Sequence, residues 1–195
     1  MLNVGIFVFD DVEVLDFAGP FQVFTTATRV ARPDKPFSTF TIAADDAVQA
    51  RGGLPIVPTY AFGREPRIDV LIVPGGVVTD EIGKSDVIDW IAARAAEAQI
   101  TASVCTGAFL LAKAGVLDGK KATTHWEDVD DFRKSFPSIP IDAEARFVDE
   151  GRIVTSAGIS AGIDMSLHLV ERLAGEALAL RTARQMDYRW QREPQ

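Results

Sequence analysis

The sequence predicts an α/β fold with a doubly wound, mostly parallel sheet and helices on both faces. Strand-like and helix-like segments alternate along the chain, which is the pattern of βα units. Strand candidates such as residues 2–9 and 70–74 are apolar runs without polar alternation, as expected for strands covered on both faces. The length of 195 residues and the 47% hydrophobic content suit a single domain over residues 1–195.

Six segments are expected to form strands and six to form helices. The strands are expected at residues 2–9, 37–43, 70–74, 100–104, 122–124 and 153–156. The helices are expected at residues 20–31, 85–98, 106–114, 127–135, 158–173 and about 175–190. A small hairpin is expected within residues 49–58, where glycine and proline follow Arg51. This order predicts a flavodoxin-like sheet with its ligand site at the carboxyl ends of the strands.

The charge balance argues against nucleic acid and membranes as partners. Lys and Arg number 20 and Asp and Glu number 28, which gives a formal net charge of -8. Such a surface repels phosphate backbones and anionic lipids. The N-terminus is interpreted as a core strand and not as a signal peptide, and the longest uncharged run, 98–112, is too short to span a bilayer. A single cysteine allows no internal disulfide, so a cytoplasmic location is expected.

The single cysteine, Cys105, lies at the predicted join between a strand and a helix. Small residues flank it, among them Ser103 and Gly107, as the sharp turn of a nucleophile elbow requires. The first amides and the dipole of the following helix would favour the thiolate, so we expect a pKa below the free value of about 8.5. The alternative is a buried cysteine that acts only as a small hydrophobic residue.

Two glycines close the neighbouring strand and would open onto the same edge of the sheet. Gly75 and Gly76 follow Pro74, and a chain without Cβ atoms allows backbone amides to approach a ligand closely. An amide from this pair, together with the amide of Thr106, would form an oxyanion-hole-like cradle beside Cys105. The alternative is an ordinary turn from strand to helix.

Asp16 is an acid between large apolar residues after the first strand. One interpretation makes it the N-cap of a helix that begins at Pro20, which would lower its pKa. The other makes it a catalytic acid in an apolar pocket, which would raise its pKa. The spacing of the residues favours neither.

The histidines and the last glycine loop complete the candidate residues. His125 ends the predicted strand 122–124 and could reach Cys105 or line the pocket, whereas His168 lies on an apolar helix and is interpreted as a packed residue. These residues form no metal-ligand cluster, so neither a metal nor another cofactor is expected. Gly158 and Gly162 would lie on one helix face, where close packing on the sheet is the default explanation.

Five separated motifs, in order along the chain, closely resemble the ThiJ/PfpI (DJ-one) superfamily, and within it the isocyanide (isonitrile) hydratases. They are residues 15–20, 74–76, 103–108, 122–126 and 156–164. The resemblance implies a flavodoxin-like, class I glutamine amidotransferase-like fold that usually forms a homodimer. It also implies that Cys105 is the nucleophile, that Asp16 is the acid beside it and that Thr106 orders the site.

Other branches of the superfamily are disfavoured. Protease and glyoxalase-like members commonly carry glutamate in the first loop, and the proteases carry histidine directly after the cysteine; neither feature is expected here. The motifs also occur in the sensing domains of AraC-type regulators, which continue into a DNA-binding domain. Because this chain ends at Gln195 and is acidic, a DNA-binding regulator is disfavoured.

The resemblance therefore implies a hydratase that converts a small organic isocyanide to an N-substituted formamide. The small molecule would lie against Gly75, Gly76, His125 and Gly158, and its hydrophobic substituent against Phe17, Trp126 and Ile159. The alternative function is a non-catalytic module that senses a ligand or, through oxidation of Cys105, the redox state.

Overall fold

The computed structural model describes residues 1–192, and its seven-stranded sheet has the order β5-β2-β1-β6-β7-β9-β8. All neighbouring pairs in this sheet are parallel except β8 with β9. The strands are β1 (Leu2–Phe7), β2 (Phe37–Ala43), β3 (Val48–Ala50), β4 (Leu54–Ile56), β5 (Tyr60–Ala61), β6 (Val70–Val73), β7 (Ile100–Val104), β8 (Phe147–Asp149) and β9 (Ile153–Ser156). The predicted fold class is confirmed.

Helices cover both faces of this sheet. They are α1 (Val14–Val30), α2 (Ser85–Glu97), α3 (Gly107–Lys113), α4 (Val129–Ser135), α5 (Ala161–Ala174) and α6 (Glu176–Gln185). On one face, α1, α5 and α6 pack on one another and bury residues such as Phe24 and Leu169. On the other, α2 and α3 bury residues such as Ile91 and Leu110.

The strand order places a switch point beside β1. The chain runs from β1 to β2 on one side and later returns to β6 on the other side of β1. Connections that leave in opposite directions open a crevice at the carboxyl ends of the strands, which is where open α/β sheets bind ligands. The segments after β1, β6 and β7 therefore converge on one place.

Several predicted boundaries differ from the structure. Residues 122–124 do not form a strand, because only the backbone of Ala122 pairs, with Pro140 and Asp142. The short strands β5 and β8 were not predicted, since two or three residues are too few to show a pattern. The expected hairpin exists as the antiparallel pair β3 and β4, which forms its own two-stranded sheet.

Helix α1 begins six residues before the predicted start at Pro20. Proline is favoured in a first turn, which suggested the later start, but here it lies inside the helix and is buried. The extra residues gain packing, because Val14 and Phe17 contact the core. The helix predicted from residue 158 begins instead at Ala161, and the helix predicted from 127 begins with a 3₁₀ turn over Trp126–Asp128.

We expect Gly107→Ala to destabilise the fold, because α3 begins directly against β6. A Cβ atom at Gly107 would lie 2.8 Å from the carbonyl oxygen of Pro74 and still closer to that of Val73, and backbone cannot move aside as a side chain can. Overpacking of this kind costs about 1–3 kcal/mol or prevents folding. Urea unfolding of Gly107→Ala and of the control Gly83→Ala, whose Cβ would meet nothing within 4 Å, measures the effect. Equal stability of the two variants would contradict the close approach.

Candidate active site

Cys105 lies on a strained turn between β7 and α3. Strand β7 ends at Val104, helix α3 begins at Gly107, and Cys105 has a φ of 56°. Left-handed backbone at a residue with a Cβ costs of order 1–3 kcal/mol and occurs where a side chain must be aimed at a site. The thiol is buried, with 7% of the residue exposed. This geometry is that of the predicted nucleophile elbow.

The carboxyl group of Asp16 lies in the protein interior beside Cys105. The residue is 0% exposed, and the amide of Gly75 donates a hydrogen bond of 3.1 Å to Oδ2. Among the residues that the structure describes, Oδ1 has no hydrogen-bond partner. Burial raises the pKa of Asp16 to about 7, the negative charge of Glu13 adds to the rise, and the hydrogen bonds to Gly75 and Cys105 oppose it.

The helix-cap interpretation of Asp16 is wrong. Helix α1 begins at Val14 and its N-cap position is Glu13, so Asp16 lies within the first turn. A carboxylate that caps a helix would have a lowered pKa, whereas the pKa of Asp16 is raised by burial. The direction is that expected of a proton donor in an enclosed site.

The pKa of Cys105 departs from the sequence-based expectation. Burial raises the pKa of the thiol well above its ordinary value, and the charges of Asp16 and Asp128 raise it further. Hydrogen bonds from the amide and hydroxyl of Thr106 act in the opposite direction but do not offset the rise. Helix α3 is only seven residues long, and its dipole does not overcome burial beside an acid. The resting sulfur is therefore a thiol, and the predicted low pKa is wrong.

Thr106 fastens the glycine loop to the elbow. Its hydroxyl donates to the carbonyl oxygen of Gly76 and accepts from the amide of Gly76, both at 2.9 Å. A Cβ atom at Gly75 would lie 2.6 Å from the amide nitrogen of Thr106 and 3.0 Å from Oδ2 of Asp16, so the loop can approach the elbow only with glycine there. Both loop amides are engaged by Asp16 and Thr106, so the predicted cradle of free Gly75 or Gly76 amides is not formed.

The thiol faces a cavity of about 300 Å³, which we call the reaction cavity. Its lining is mostly charged or polar, and Ile159 is its one large apolar member. The lining residues are Glu13, Arg51, Gly76, Cys105, Thr106, His125, Glu127, Asp128 and Ile159. Asp16 lies beneath this cavity and not on its wall, since it is fully buried.

Four residues of this lining were not among the predicted site residues. Glu127 and Asp128 lie two and three positions after His125 and could have been found from that proximity. Arg51 comes from the β3–β4 hairpin, whose position over the site the sequence does not reveal. Glu13 precedes Asp16 and accepts a hydrogen bond of 3.3 Å from Arg51. The expectation that the first loop lacks glutamate is therefore wrong.

His125 is held in place by polar and packing contacts. Its Nδ1 lies 3.3 Å from Oδ2 of Asp128, and the hydroxyl of the preceding Thr124 donates to the carbonyl oxygen of Cys105 at 3.0 Å. A Cβ atom at Gly158 would collide with the imidazole ring, so Gly158 provides the space for His125 and does not itself line the reaction cavity. Gly162 packs on Val104 as expected, but Gly158 precedes α5, so the two glycines do not share a helix face.

Most of the apolar residues that were expected to surround the substrate do not line the reaction cavity. Trp126 is 72% exposed and lies outside the reaction cavity, with its ring 5.7 Å from that of His125. Phe17 packs into the cores on either side of the sheet. Of these three residues, only Ile159 lines the reaction cavity, as its place in the sequence predicted. Within residues 1–192 no group of three or more His, Cys, Asp or Glu residues is arranged to hold a metal ion, and no helix is long and apolar enough to cross a membrane.

The fold and the site define a class of protein: a flavodoxin-like domain with a cysteine on an elbow and a buried carboxyl group from the segment after β1. The DJ-1/PfpI family model matches residues 3–172. The chain belongs to the DJ-1/PfpI family.

Relatives of this chain include enzymes and regulators. It is 34% identical to an isonitrile hydratase of Pseudomonas putida over 190 residues, which are 96% of this chain and 78% of that protein. It is 29% identical to the HTH-type transcriptional regulator GbdR of Pseudomonas aeruginosa over 91% of this chain and 48% of that protein. A ThiJ/PfpI family protein of Pseudomonas syringae has a crystal structure that matches with a TM-score of 0.86 at 32% identity, over 96% of this chain and 75% of that one.

We expect Asp16→Asn to stabilise the protein at pH 8. The folded-state pKa of about 7 lies above the ordinary value of 3.8, so the folded protein keeps a proton between these values that the unfolded chain has lost. The contribution of Asp16 to the free energy of unfolding therefore falls as the pH rises from 4 to 7, by an amount that linkage puts at about 4 kcal/mol. Removing the charge should recover much of that loss at pH 8 and little at pH 4.5.

Asp149→Asn is a control for which we expect the opposite change in stability. Burial acts to raise the pKa of Asp149, but hydrogen bonds from His168 and Gly151 and the charge of Arg172 hold it below its ordinary value. Its contribution to stability is present above the unfolded pKa, so Asp149→Asn should lose stability at pH 8. Urea unfolding at both pH values measures both variants. A loss of stability in Asp16→Asn at pH 8 would show that the ionised Asp16 carboxylate does not destabilise the folded protein.

Proposed function

We propose that the protein hydrates small organic isocyanides, R–N≡C, to N-substituted formamides, R–NH–CHO. The observation that supports this most strongly is the buried carboxyl group of Asp16, with a pKa near 7, beside the thiol of Cys105. Such a carboxyl group gives and takes a proton with equal ease at neutral pH. The reaction needs one group that does both. The 34% identity to an isonitrile hydratase supports the same choice of substrate.

The first step forms a covalent adduct. The sulfur of Cys105 bonds to the terminal isocyanide carbon while Asp16 accepts the thiol proton and delivers it to that carbon. The product is a thioimidate, R–N=CH–S–Cys105, and Asp16 is again a carboxylate. Because the thiol gives up its proton only during attack, the raised pKa of Cys105 is compatible with a nucleophilic role.

The second step consumes water. Asp16 takes one proton from the water as its oxygen bonds to the thioimidate carbon, and passes that proton to the nitrogen. The tetrahedral adduct then loses its hydroxyl proton through Asp16 to the departing sulfur as the C–S bond breaks. The formamide leaves and Cys105 is a thiol again. Thr106 acts in this scheme as a positioning residue, because it holds the Gly75–Gly76 loop that binds Asp16.

Replacement of Cys105 tests the covalent route. Cys105→Ala and Cys105→Ser should remain folded and lose formamide production from cyclohexyl isocyanide, because loss of a covalent nucleophile costs several orders of magnitude. The formyl proton of the product is followed by NMR, and a cooperative melt checks the fold. Turnover above about one hundredth of the wild-type rate would rule out the adduct.

The pH dependence of kcat/KM tests the role of Asp16. The reactive form carries one proton on the pair Asp16 and Cys105, so Asp16 must be ionised in the free enzyme while the thiol keeps its proton. We expect kcat/KM to fall about tenfold per pH unit below a midpoint of about 7 and to be level above it. A profile that is flat between pH 5 and 9 would contradict proton transfer through Asp16.

A ligand-sensing module is the second candidate, and the similarity to GbdR favours it. Oxidation sensing is less well supported, because a buried thiol with a raised pKa provides little thiolate. An isocyanide that binds to the wild-type protein without formamide production would favour the sensor. A homodimer and a cytoplasmic location stay predictions. Light scattering tests the homodimer, because it compares the mass in solution with the 21.2 kDa of one chain.

A further inference from the structure

A second cavity, which we call the side pocket, adjoins the reaction cavity. It has a volume of about 430 Å³ and shares three lining residues with the reaction cavity: Gly76, Thr106 and Asp128. Pockets of 300–1,000 Å³ are the usual size for small-molecule ligands. The two cavities therefore meet at these three residues, one of which directly follows Cys105.

The two cavities differ in chemistry. The reaction cavity is lined mainly by charged or polar side chains, whereas much of the side pocket is apolar. The apolar side chains that line the side pocket are Val77, Val78, Ile82 and Phe109. This difference matches a substrate that has a small reactive group at one end and hydrocarbon at the other.

Packing holds the apolar wall in place. The ring of Phe109 meets those of Phe132 and Phe136 edge-on, with centroids 4.9 and 6.2 Å away. Val78 and Ile82 are partly buried and pack against the same core. Such a wall is formed before a ligand arrives, so a hydrocarbon group can bind there without ordering a loop.

We infer that the side pocket holds the substituent R of the molecule whose reactive carbon lies at Cys105, an assignment that rests on the proposed function. The substrates it selects carry an uncharged hydrocarbon group of ring size, such as cyclohexyl or benzyl. A carboxylate on that group is disfavoured, because Asp128 and Asp131 also line the side pocket. Methyl isocyanide leaves the side pocket unfilled. The side pocket would thus provide the apolar contacts that the sequence predicted from Phe17 and Trp126.

A matched pair of tryptophan variants tests the assignment. Val78→Trp fills the side pocket, whereas Val116→Trp fills a separate cavity lined by α2 and the segment after α3. Both valines are partly buried and pack against the same core. We expect Val78→Trp to lower kcat/KM at least tenfold for cyclohexyl isocyanide and less than threefold for methyl isocyanide, since each methylene that loses burial costs about fourfold. Val116→Trp should change neither.

Alkylation of Cys105 separates this inference from the proposed function, because it needs no turnover. Iodoacetamide and N-benzyl iodoacetamide both form a C–S bond and release iodide, and mass spectrometry follows their rates. We expect wild type and Val116→Trp to favour the benzyl reagent and Val78→Trp to lose that preference. Loss of the preference in a protein that hydrates no isocyanide would support the side pocket and overturn only the proposed reaction.

A second variant that narrows the side pocket tests the assignment if Val78→Trp does not fold. Ser135 is exposed at the end of α4 and also lines the side pocket, so Ser135→Trp narrows it without disturbing the core. It should also reduce the benzyl preference. The assignment of the side pocket would be overturned if the two reagents reacted at equal rates with wild type. It would also be overturned if Val78→Trp and Ser135→Trp both left the preference unchanged.

Discussion

The burial of one carboxyl group beside one thiol is the constraint on which the site depends. Asp16 is enclosed under the elbow, where desolvation opposes its charge and brings its pKa to about 7. The same burial and the charge of Asp16 keep the proton on Cys105. The single proton of the pair therefore lies on Cys105 at neutral pH, and Asp16 is the base beside it. In the proposed reaction, this pair favours proton transfer during attack over a preformed thiolate.

The surrounding structure keeps that pair together. The switch point of the sheet brings the segments after β1, β6 and β7 to one edge. Thr106 then fixes Gly76, and Gly75 donates its amide to Asp16. Because a Cβ at Gly75 would meet both Thr106 and Asp16, the glycine is a requirement of the close contact and not of a flexible loop. The buried acid and the strained elbow are both unfavourable in free energy, and the rigid edge of the sheet holds them in place.

The sequence allowed the fold and the elbow to be predicted, because both depend on local patterns. Strands β2, β7 and β9 have the predicted bounds, and Cys105 lies on the predicted turn. The predictions that were wrong concern properties set by contacts between residues that are distant in the sequence. The pKa of Cys105 is set by burial and by Asp16, 89 positions earlier, and the glycine amides are used by partners that only the tertiary structure brings near. Arg51 and the side pocket were missed for the same reason.

The pKa of Asp16 itself is the most direct measure of the central claim. Selective ¹³C labelling of aspartate carboxyl groups, with Asp16→Asn to assign the signal, allows NMR to follow its ionisation in the folded protein. We predict a midpoint of about 7, because burial opposes the charge of the carboxylate. A midpoint near the ordinary value of 3.8 would contradict it, because Asp16 would then be a solvated or ion-paired carboxylate, which is a weaker base toward the proton of Cys105.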